Sequence, residues 1–451
     1  MRRSLIILGG SGDLTGRLLM PSLARLDRKG GLDGVDLLAM SQDEWDDDGY
    51  RDWARERLAA HAGDLPEDVR EDLVGRLHYL QGDVTSSEDL HRAKDAVEGA
   101  PIFYLALPNT VFRPAVDALA ALDLTPDARI VLEKPFGKDL DDARELNEAL
   151  HRLLPEDAIF RVDHFLAKAT VLNVLGLRFA NRIFEPVWNA AHVERVEIVA
   201  DETLGLEGRA GYYDKAGAAR DMLQNHLLQL LALVAMEPPL QLDGGGLARR
   251  KADVLRAVNP PDDAAADSVR ARYSAGTVDG RELPGYVDEK GVEPDRGTET
   301  YAEMTVTVDN WRWAGVPFRL RSGKALSDKR SEIAVHFKPV PHLAFADDVP
   351  EPDVLRIRLT PDGIALELNL NGSGDPFDLE REVFTSSPPE NDLPAYGLVL
   401  QELLQGDTTL SISDVEAEEG WRILEPVLAA WAADEVPLLD YPAGSAGPPR
   451  P

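Results

Sequence analysis

Residues 4–26, SLIILGGSGDLTGRLLMPSLARL, join a short apolar run, a glycine-rich turn and a segment whose apolar residues recur at helical spacing. A buried strand that passes through a glycine turn into an amphipathic helix is the opening of a β–α–β unit. The same alternation continues over the first 165 or so residues, with helical segments at 52–62 and 112–122. The further strand-like runs are VDLLAMS, LHYLQGD, PIFYLALP and ARIVLEKP. This alternation predicts an α/β fold with a parallel, doubly wound sheet.

The pattern changes after residue 165. Two long helical segments are predicted at about 165–182 and 217–236, and strand-like runs follow them. The run VLRIRLTPDGIALELNLN, residues 354–371, contains PDG, which predicts a turn between two strands. We therefore expect a larger second part with a mainly antiparallel sheet and helices. Because 451 residues are too many for one ordinary core, the predicted domains are 1–165 and 166–451.

The composition excludes several classes of partner and site. Lys and Arg number 48 against 80 Asp and Glu, and the formal charge of -32 would repel nucleic-acid phosphates and anionic lipid. The absence of cysteine rules out disulfides and cysteine-ligated metals. The sequence contains no stretch of about 18 uninterrupted apolar residues, so no membrane span is predicted. We expect a metal-free cytoplasmic protein that binds no nucleic acid, in which an anionic substrate would need a local basic pocket.

The glycine-rich turn is a candidate dinucleotide site. It lies where a strand meets a helix, the position at which backbone N–H groups reach a pyrophosphate. Its glycines match G-x-G-x-x-G imperfectly, and a turn that merely connects strand to helix is the alternative. The predicted cofactor-binding residues are Gly9, Gly10, Ser11, Gly12, Asp13, Leu14, Gln42 and Lys134.

The end of the second predicted strand reads AMSQDEWDDD. Dinucleotide-binding folds contact the adenosine ribose here, where an acid favours the free 2′-hydroxyl of NAD and an arginine favours the 2′-phosphate of NADP. Gln42, Asp43 and Glu44 include no arginine, so the local charge disfavours a phosphate. Solvated loop side chains without a role are the alternative.

The stretch RVDHFLAK, residues 161–168, has two interpretations. In the first, Asp163 caps a helix, His164 lies on its first turn and Lys168 follows one turn later in solvent. In the second, a functional site begins here.

Four other residues carry candidate chemistry. Lys134 follows the fifth predicted strand at a sheet edge where ligands bind, although a buried salt bridge of Glu133 is the simpler explanation of this pair. His226 lies on an apolar helix face, where most histidines are core residues. Lys324 and Lys329 form a basic cluster in an acidic chain, or belong to a solvated loop.

Together these stretches resemble the glucose-6-phosphate dehydrogenase family over essentially the whole chain. The matching stretches, in order, are GGSGDLTGRLLMPSL, YLALP, LEKPFG, RVDHFLAK, LRFANRIFEPVWN, EGRAGYYD, DMLQNHLLQLLALVAMEPP, VPFRLRSGKAL and YPAGSAGP. The resemblance implies a Rossmann-like domain, then an antiparallel-sheet domain that also forms a homodimer or a dimer of dimers. It implies oxidation of glucose 6-phosphate at C1 to the lactone with hydride transfer to NAD or NADP, the first step of the oxidative pentose phosphate pathway.

The resemblance also implies roles for individual residues. His226 would be the base that takes the C1 hydroxyl proton, and Asp163 the acid that sets its tautomer. His164 and Lys168 would hold the substrate phosphate. The further substrate-binding residues would be Glu202 and Asp221 at the sugar hydroxyls, Lys324 and Lys329 on the far side of the sugar, and Lys134 between substrate and nicotinamide. The Lys134–Pro135 peptide bond would be cis.

Several positions depart from the family pattern. Phe165 replaces the usual tyrosine, which removes a hydroxyl whose bond to phosphate is worth on the order of 1.5–3 kcal/mol. Ala167 and Ala169 flank the motif lysine where glycine and glutamate are usual. Gln42 replaces the arginine expected for NADP, so we predict that NAD is used at least as well as NADP.

Two alternative functions stay open at this point. Phe165 is compatible with a paralogue that oxidises a modified or unphosphorylated hexose. A protein of another class, a non-catalytic nucleotide sensor on the same scaffold, should have lost the base or its orienting acid, yet His226 and Asp163 are both present.

Overall fold

The computed structural model describes residues 2–345, 350–374, 378–387 and 391–449. The chain folds into two compact units, each built from several segments. Unit 1 contains Met1–Ala167, Pro239–Arg249 and Asn391–Glu418, and unit 2 contains Lys168–Pro238, Arg250–Glu390 and Glu419–Pro451. Within the described ranges, no helix has both the length and the apolar character that a bilayer crossing requires.

The regular elements are numbered in chain order. The strands are β1 Arg3–Leu8, β2 Val35–Ser41, β3 Leu77–Gln81, β4 Ala100–Leu105, β5 Arg129–Glu133, β6 Ile159–Val162, β7 Val193–Asp201, β8 Val258–Asn259, β9 Ser268–Ser274, β10 Gly276–Val278, β11 Arg281–Leu283, β12 Tyr301–Val308, β13 Pro317–Gly323, β14 Arg330–Phe337, β15 Val354–Thr360, β16 Asp362–Asn371, β17 Leu379–Ser386, β18 Ser411–Ile412 and β19 Leu438–Pro442. The α-helices are α1 Met20–Arg28, α2 Asp47–His61, α3 Glu67–Gly75, α4 Ser87–Asp95, α5 Asn109–Leu119, α6 Leu140–His151, α7 Ala169–Phe179, α8 Ala210–Ala218, α9 Leu228–Ala235, α10 Gly244–Ala257, α11 Ala264–Asp267, α12 Ala395–Gln405 and α13 Asp414–Ala432. Two π-helical segments span Thr15–Leu19 and Ala219–Leu227.

The sheet of unit 1 has the order β18-β6-β5-β4-β1-β2-β3. Strands β1 to β6 pair in parallel, and the short β18 adds to β6 in the antiparallel sense. All six residues of β4 are buried, as expected for a strand that helices cover on both faces. This order is that of dinucleotide-binding sheets, and the predicted doubly wound sheet is confirmed. The strand order reverses at β1, so ligands are expected at the carboxyl end of this strand.

The sheet of unit 2 is larger and mainly antiparallel. Its order is β17-β16-β15-β14-β7-β13-β12-β9-β19, with β8 paired to β12. The pairs of β7 with β13 and of β9 with β19 are parallel, and the others are antiparallel. The predicted antiparallel sheet is therefore confirmed, with β7 near its centre.

Both predicted helices of the second part are present, and the first is shorter than expected. The helix expected at about 165–182 begins only at Ala169 and ends at Phe179. The helix expected at about 217–236 follows Gly217, whose φ of 70° and ψ of 172° are not helical, and runs without a break through the π-helical segment and α9 to Ala235. The expected PDG turn is also displaced, because the chain reverses at Thr360–Pro361, a cis peptide bond, between β15 and β16.

The domain limits of 1–165 and 166–451 stay a prediction. Two segments of the predicted second domain, Pro239–Arg249 and Asn391–Glu418, nevertheless belong to unit 1. The second of these segments carries β18 and α12, and α12 packs against α1.

Candidate functional site

The glycine-rich turn after β1 packs closely against β2 and against the residue that follows β4. The N–H groups of Gly9 and Gly10 both donate to the Met40 carbonyl at the end of β2, at 2.9 and 3.0 Å. Gly9 has a φ of 88°, and a Cβ there would collide with the Ala106 carbonyl oxygen beyond β4. A Cβ at Gly10 would lie 2.6 Å from the Ala39 side chain. These two glycines therefore allow the close approach of β1 to its neighbours.

The helix begins immediately after this turn. Residues 13–28 are helical, and the first complete turns, Thr15–Leu19, are π-helical. Ser11, Gly12 and Leu14 are half-buried and Asp13 is exposed, where its carboxylate pairs with Arg17 at 3.2 Å. The helix N-terminus is thus reachable from solvent, which is the arrangement that accepts a phosphate group.

The end of β2 presents an anchored carboxylate beside this turn. Asp43 accepts a hydrogen bond from the Ser41 hydroxyl at 2.9 Å, and its backbone carbonyl accepts one from the Tyr79 hydroxyl at 2.7 Å. Hydrogen bonds from Ser11 and then Ser41 lower the pKa of the Asp43 carboxyl. The adjacent Gln42 is exposed. An ionised, oriented carboxylate at this position is the acceptor that a ribose diol requires.

Aromatic residues support this end of the sheet, and none of them was predicted from the sequence. The Tyr50 hydroxyl donates to the Gly10 carbonyl at 3.0 Å, which ties α2 to the glycine turn. The Tyr50 ring stacks on Tyr79 and on Trp53, with centroids 5.1 and 5.3 Å apart. Trp45 packs against the same rings. The spacing of Tyr50 and Trp53, three positions apart on α2, was the available signal.

At the end of β5, the chain makes a cis peptide bond at Lys134–Pro135, which the resemblance predicts. Lys134 is half-buried, and Glu133 before it is buried. The predicted alternative for Glu133 was a salt bridge. Its carboxylate instead accepts hydrogen bonds from the Tyr104 hydroxyl at 2.5 Å and the Tyr396 hydroxyl at 3.3 Å.

The residues of RVDHFLAK form a turn where one interpretation of the sequence expects a helix. Asp163 is 1% exposed, and its carboxylate accepts the Phe165 N–H at 2.9 Å. Its carbonyl accepts the Leu166 N–H at 3.1 Å, so the chain folds back on itself after β6. His164 is half-buried, with its ring parallel to that of Tyr396 at a centroid distance of 5.7 Å. Lys168, also half-buried, directly precedes α7.

In unit 2, the π-helical segment Ala219–Leu227 carries Asp221 and His226. His226 is 1% exposed, and the Tyr212 hydroxyl donates to the Asp221 carboxylate at 3.2 Å. The buried Glu299 carboxylate accepts the Ala219 N–H at 2.9 Å at the start of the segment. π-helical insertions often occur at functional positions, because they reorient the side chains along a helix.

A second group of unit 2 lies where β7 and β13 end together. The register pairs Gly323 with Asp201, and the Glu202 N–H donates to the Gly323 carbonyl at 2.8 Å. This pairing brings the Lys324 ammonium into an ion pair with the Glu202 carboxylate. The Lys324 nitrogen also lies 5.0 Å from the centroid of the Tyr213 ring. Lys329 is exposed on the turn that leads to β14.

Comparisons with known proteins find matches along nearly the whole chain. Residues 6–173 match the family model "Glucose-6-phosphate dehydrogenase, NAD binding domain" and residues 175–450 match "Glucose-6-phosphate dehydrogenase, C-terminal domain". The glucose-6-phosphate 1-dehydrogenase of Mycolicibacterium smegmatis is 40% identical over 466 residues, which cover 98% of this chain and 94% of that protein. The enzyme of the same name from Zymomonas mobilis is 37% identical, over 99% of this chain and 96% of that protein.

Solved structures give the same result. The crystal structure of glucose-6-phosphate 1-dehydrogenase from Mycobacterium avium has a TM-score of 0.88 and 37% identity, over 99% of this chain and 96% of that chain. A glucose-6-phosphate dehydrogenase in complex with its substrate glucose-6-phosphate has a TM-score of 0.89 and 30% identity, over 99% of this chain and 95% of that chain. The two family models and these full-length relatives show that the chain belongs to the glucose-6-phosphate dehydrogenase family.

Proposed function

We propose that this protein oxidises glucose 6-phosphate at C1 to the lactone and passes the hydride to a nicotinamide dinucleotide. The observation that carries the proposal is family membership along the whole chain. Relatives named glucose-6-phosphate 1-dehydrogenase are 37–40% identical over 98–99% of the chain. The glycine turn and the anchored Asp43 carboxylate fit the pyrophosphate and ribose of such a cofactor. The bound dinucleotide supplies the hydride acceptor.

We assign the proton transfer to His226. An imidazole titrates near neutral pH, so it can take the C1 hydroxyl proton as the hydride leaves. Asp163 is assigned as the carboxylate that orients this imidazole and stabilises its protonated form. Support comes from the resemblance and from the burial of both side chains, which holds each in a defined orientation.

The substrate assignments divide by charge. His164 and Lys168 are assigned to the phosphate, because a chain with a formal charge of -32 needs local cations to attract a dianion. Glu202 and Asp221 are assigned to sugar hydroxyls, and both are already held by a partner, Lys324 and Tyr212 respectively. Lys329 completes the basic residues on the sugar side, and Lys134 is assigned to the position between substrate and nicotinamide.

We propose that NAD is used at least as well as NADP. The Asp43 carboxylate would accept hydrogen bonds from the ribose diol of NAD, whereas its charge would repel the 2′-phosphate of NADP. Gln42 offers no positive charge to offset that repulsion.

An activity matrix tests the substrate and cofactor together. The purified protein is assayed with glucose 6-phosphate or glucose, each with NAD or NADP, by the absorbance of the reduced cofactor. We expect glucose 6-phosphate to be the better sugar and kcat/KM with NAD to equal or exceed kcat/KM with NADP. A large preference for NADP would contradict the cofactor proposal alone.

The same assay tests a second candidate, a dehydrogenase of an unphosphorylated hexose. The Phe165 ring lies edge-on to the His164 ring, 5.2 Å between centroids, and offers no hydroxyl to a phosphate. Faster oxidation of glucose than of glucose 6-phosphate would favour this candidate. The absence of turnover with either sugar would overturn both.

Replacing Gln42 with arginine tests the cofactor contact directly. A charged hydrogen bond to the 2′-phosphate is worth about 1.5–3 kcal/mol, so the ratio of kcat/KM for NADP to that for NAD should rise by roughly ten- to hundredfold. The matched control is Gln405→Arg, which adds the same charge at an exposed position of unit 1. An equal rise in both variants would mean that overall charge, rather than a local contact, controls the preference.

A further inference from the structure

Glu133 is a buried carboxylate that the proposed chemistry does not use. It is the last residue of β5 and is 8% exposed. Its two oxygens accept hydrogen bonds from two tyrosines, Tyr104 of β4 at 2.5 Å and Tyr396 of α12 at 3.3 Å. Burial raises the pKa of the Glu133 carboxyl to about 7.

The two tyrosines differ in what lies on their other side. Tyr104 is fully buried within the sheet. The Tyr396 ring instead stacks on His164, with an interplanar angle of 16° and a centroid distance of 5.7 Å. Burial raises the pKa of both hydroxyls above the ordinary tyrosine value, so both remain protonated donors. A chain of contacts thus runs from Glu133 through Tyr396 to the imidazole of His164.

Attraction of the substrate is not what Glu133 contributes. Its raised pKa leaves the carboxyl partly neutral near pH 7, and its ionised form would weaken binding of a phosphate dianion by repulsion. An apolar residue at this position would leave the two tyrosine hydroxyls without their acceptor. What the carboxylate provides is the ability to accept two hydrogen bonds at once, which fixes the Tyr396 ring against His164.

We propose that Glu133 is a positioning residue for the substrate phosphate: through its hydrogen bond it holds Tyr396 in the stacked orientation that sets the His164 imidazole. The inference rests on the proposed function, because His164 is assigned there to the phosphate. It places one determinant of phosphate affinity at the residue before Lys134, a position with no predicted contact to the substrate.

The test compares single-atom changes in the full-length protein. In Glu133→Gln, the amide keeps one acceptor oxygen, and we expect the shorter bond from Tyr104 to retain it. Tyr396→Phe removes the hydroxyl but keeps the ring. Both variants should raise KM for glucose 6-phosphate by about five- to tenfold, with kcat and KM for the cofactor within twofold of the wild type. The double variant should match Tyr396→Phe, because each change removes the hydrogen bond that the Tyr396 hydroxyl donates to Glu133.

Tyr104→Phe is the matched control, since it removes the other hydrogen bond of Glu133 without touching the ring that stacks on His164. Its KM for glucose 6-phosphate should stay within twofold of the wild type. Rates with unphosphorylated glucose supply a second control: positioning of a phosphate contact predicts that kcat/KM for glucose is unchanged in all variants.

The results distinguish a failure of the positioning role of Glu133 from a failure of the proposed function. A KM for glucose 6-phosphate that falls in Glu133→Gln would mean that charge repulsion dominates and would overturn the positioning role. An unchanged KM in Tyr396→Phe would overturn it as well, even if Glu133→Gln did not fold. If the wild type fails to oxidise glucose 6-phosphate, the proposed function itself fails.

Discussion

Replacing His226 with asparagine should lower kcat by about 10²–10⁴-fold, the usual contribution of a general base. Asparagine can keep a hydrogen bond at this buried position, but it cannot take the C1 proton at neutral pH. Because the cofactor assignments lie on unit 1, the dissociation constant for the dinucleotide should stay within about twofold. Steady-state kinetics and a fluorescence titration with reduced cofactor measure the two quantities.

The control for this prediction is His192→Asn, the same change at an exposed position of unit 2. It should leave both quantities unchanged. A His226→Asn variant with wild-type turnover would remove His226 from the role of base. Equal losses in kcat and in cofactor affinity would instead point to general damage to the fold.

Replacing Gly217 with alanine should lower the free energy of unfolding of unit 2 by about 2–6 kcal/mol. The backbone there, with φ of 70° and ψ of 172°, lies in a region that essentially only glycine adopts, which costs other residues on the order of 1–3 kcal/mol. The new Cβ would also lie 2.7 Å from the carboxyl carbon of Glu299, and overpacking of this kind costs about 1–3 kcal/mol. The displaced Glu299 would no longer accept the Ala219 N–H, so kcat should fall too.

Urea unfolding followed by tryptophan fluorescence checks this, because Trp188, Trp313 and Trp421 are buried in unit 2. The matched control is Gly208→Ala, which has a φ of 78° but no atom within 4 Å of the added Cβ. Its cost should be limited to about 1–2 kcal/mol for the left-handed backbone. Similar losses in both variants would show that the contact with Glu299 is unimportant.

The fold was most predictable where strands are buried on both faces. Continuous apolar runs such as those of β1 and β4 can be told from helices because they are short and are flanked by turn residues. Strand β7, VERVEIVAD, was not predicted, because charged residues interrupt its apolar pattern. These charges are paired within the sheet: Glu197, for example, pairs with Arg195 of the same strand at 3.2 Å and with Arg330 of the neighbouring β14 at 3.5 Å.

At the candidate site, prediction from sequence was limited by the ambiguity of short-range signals. One of the two interpretations of RVDHFLAK expected a helix, because charged residues often begin helices, but the Asp163 carboxylate accepts the Phe165 N–H and stabilises a turn. Short-range signals cannot decide between these two uses of an aspartate. The partnership of Glu133 with Tyr396 lies further out of reach, since 263 positions separate the two residues and only the packing of α12 in unit 1 brings them together.

Unit 1 is built from segments that are far apart in the sequence, so the ribosome cannot complete it early in synthesis. Its last segment, Asn391–Glu418, leaves the ribosome only after most of unit 2, namely Lys168–Pro238 and Arg250–Glu390. Until then β6 lacks its outer neighbour β18, and the Arg129 guanidinium lacks the Leu404 carbonyl to which it donates at 3.1 Å. A nascent chain arrested before this segment therefore presents an open strand edge, the kind of surface that chaperones protect. The amino-terminal unit therefore begins to form first but is completed only late in synthesis.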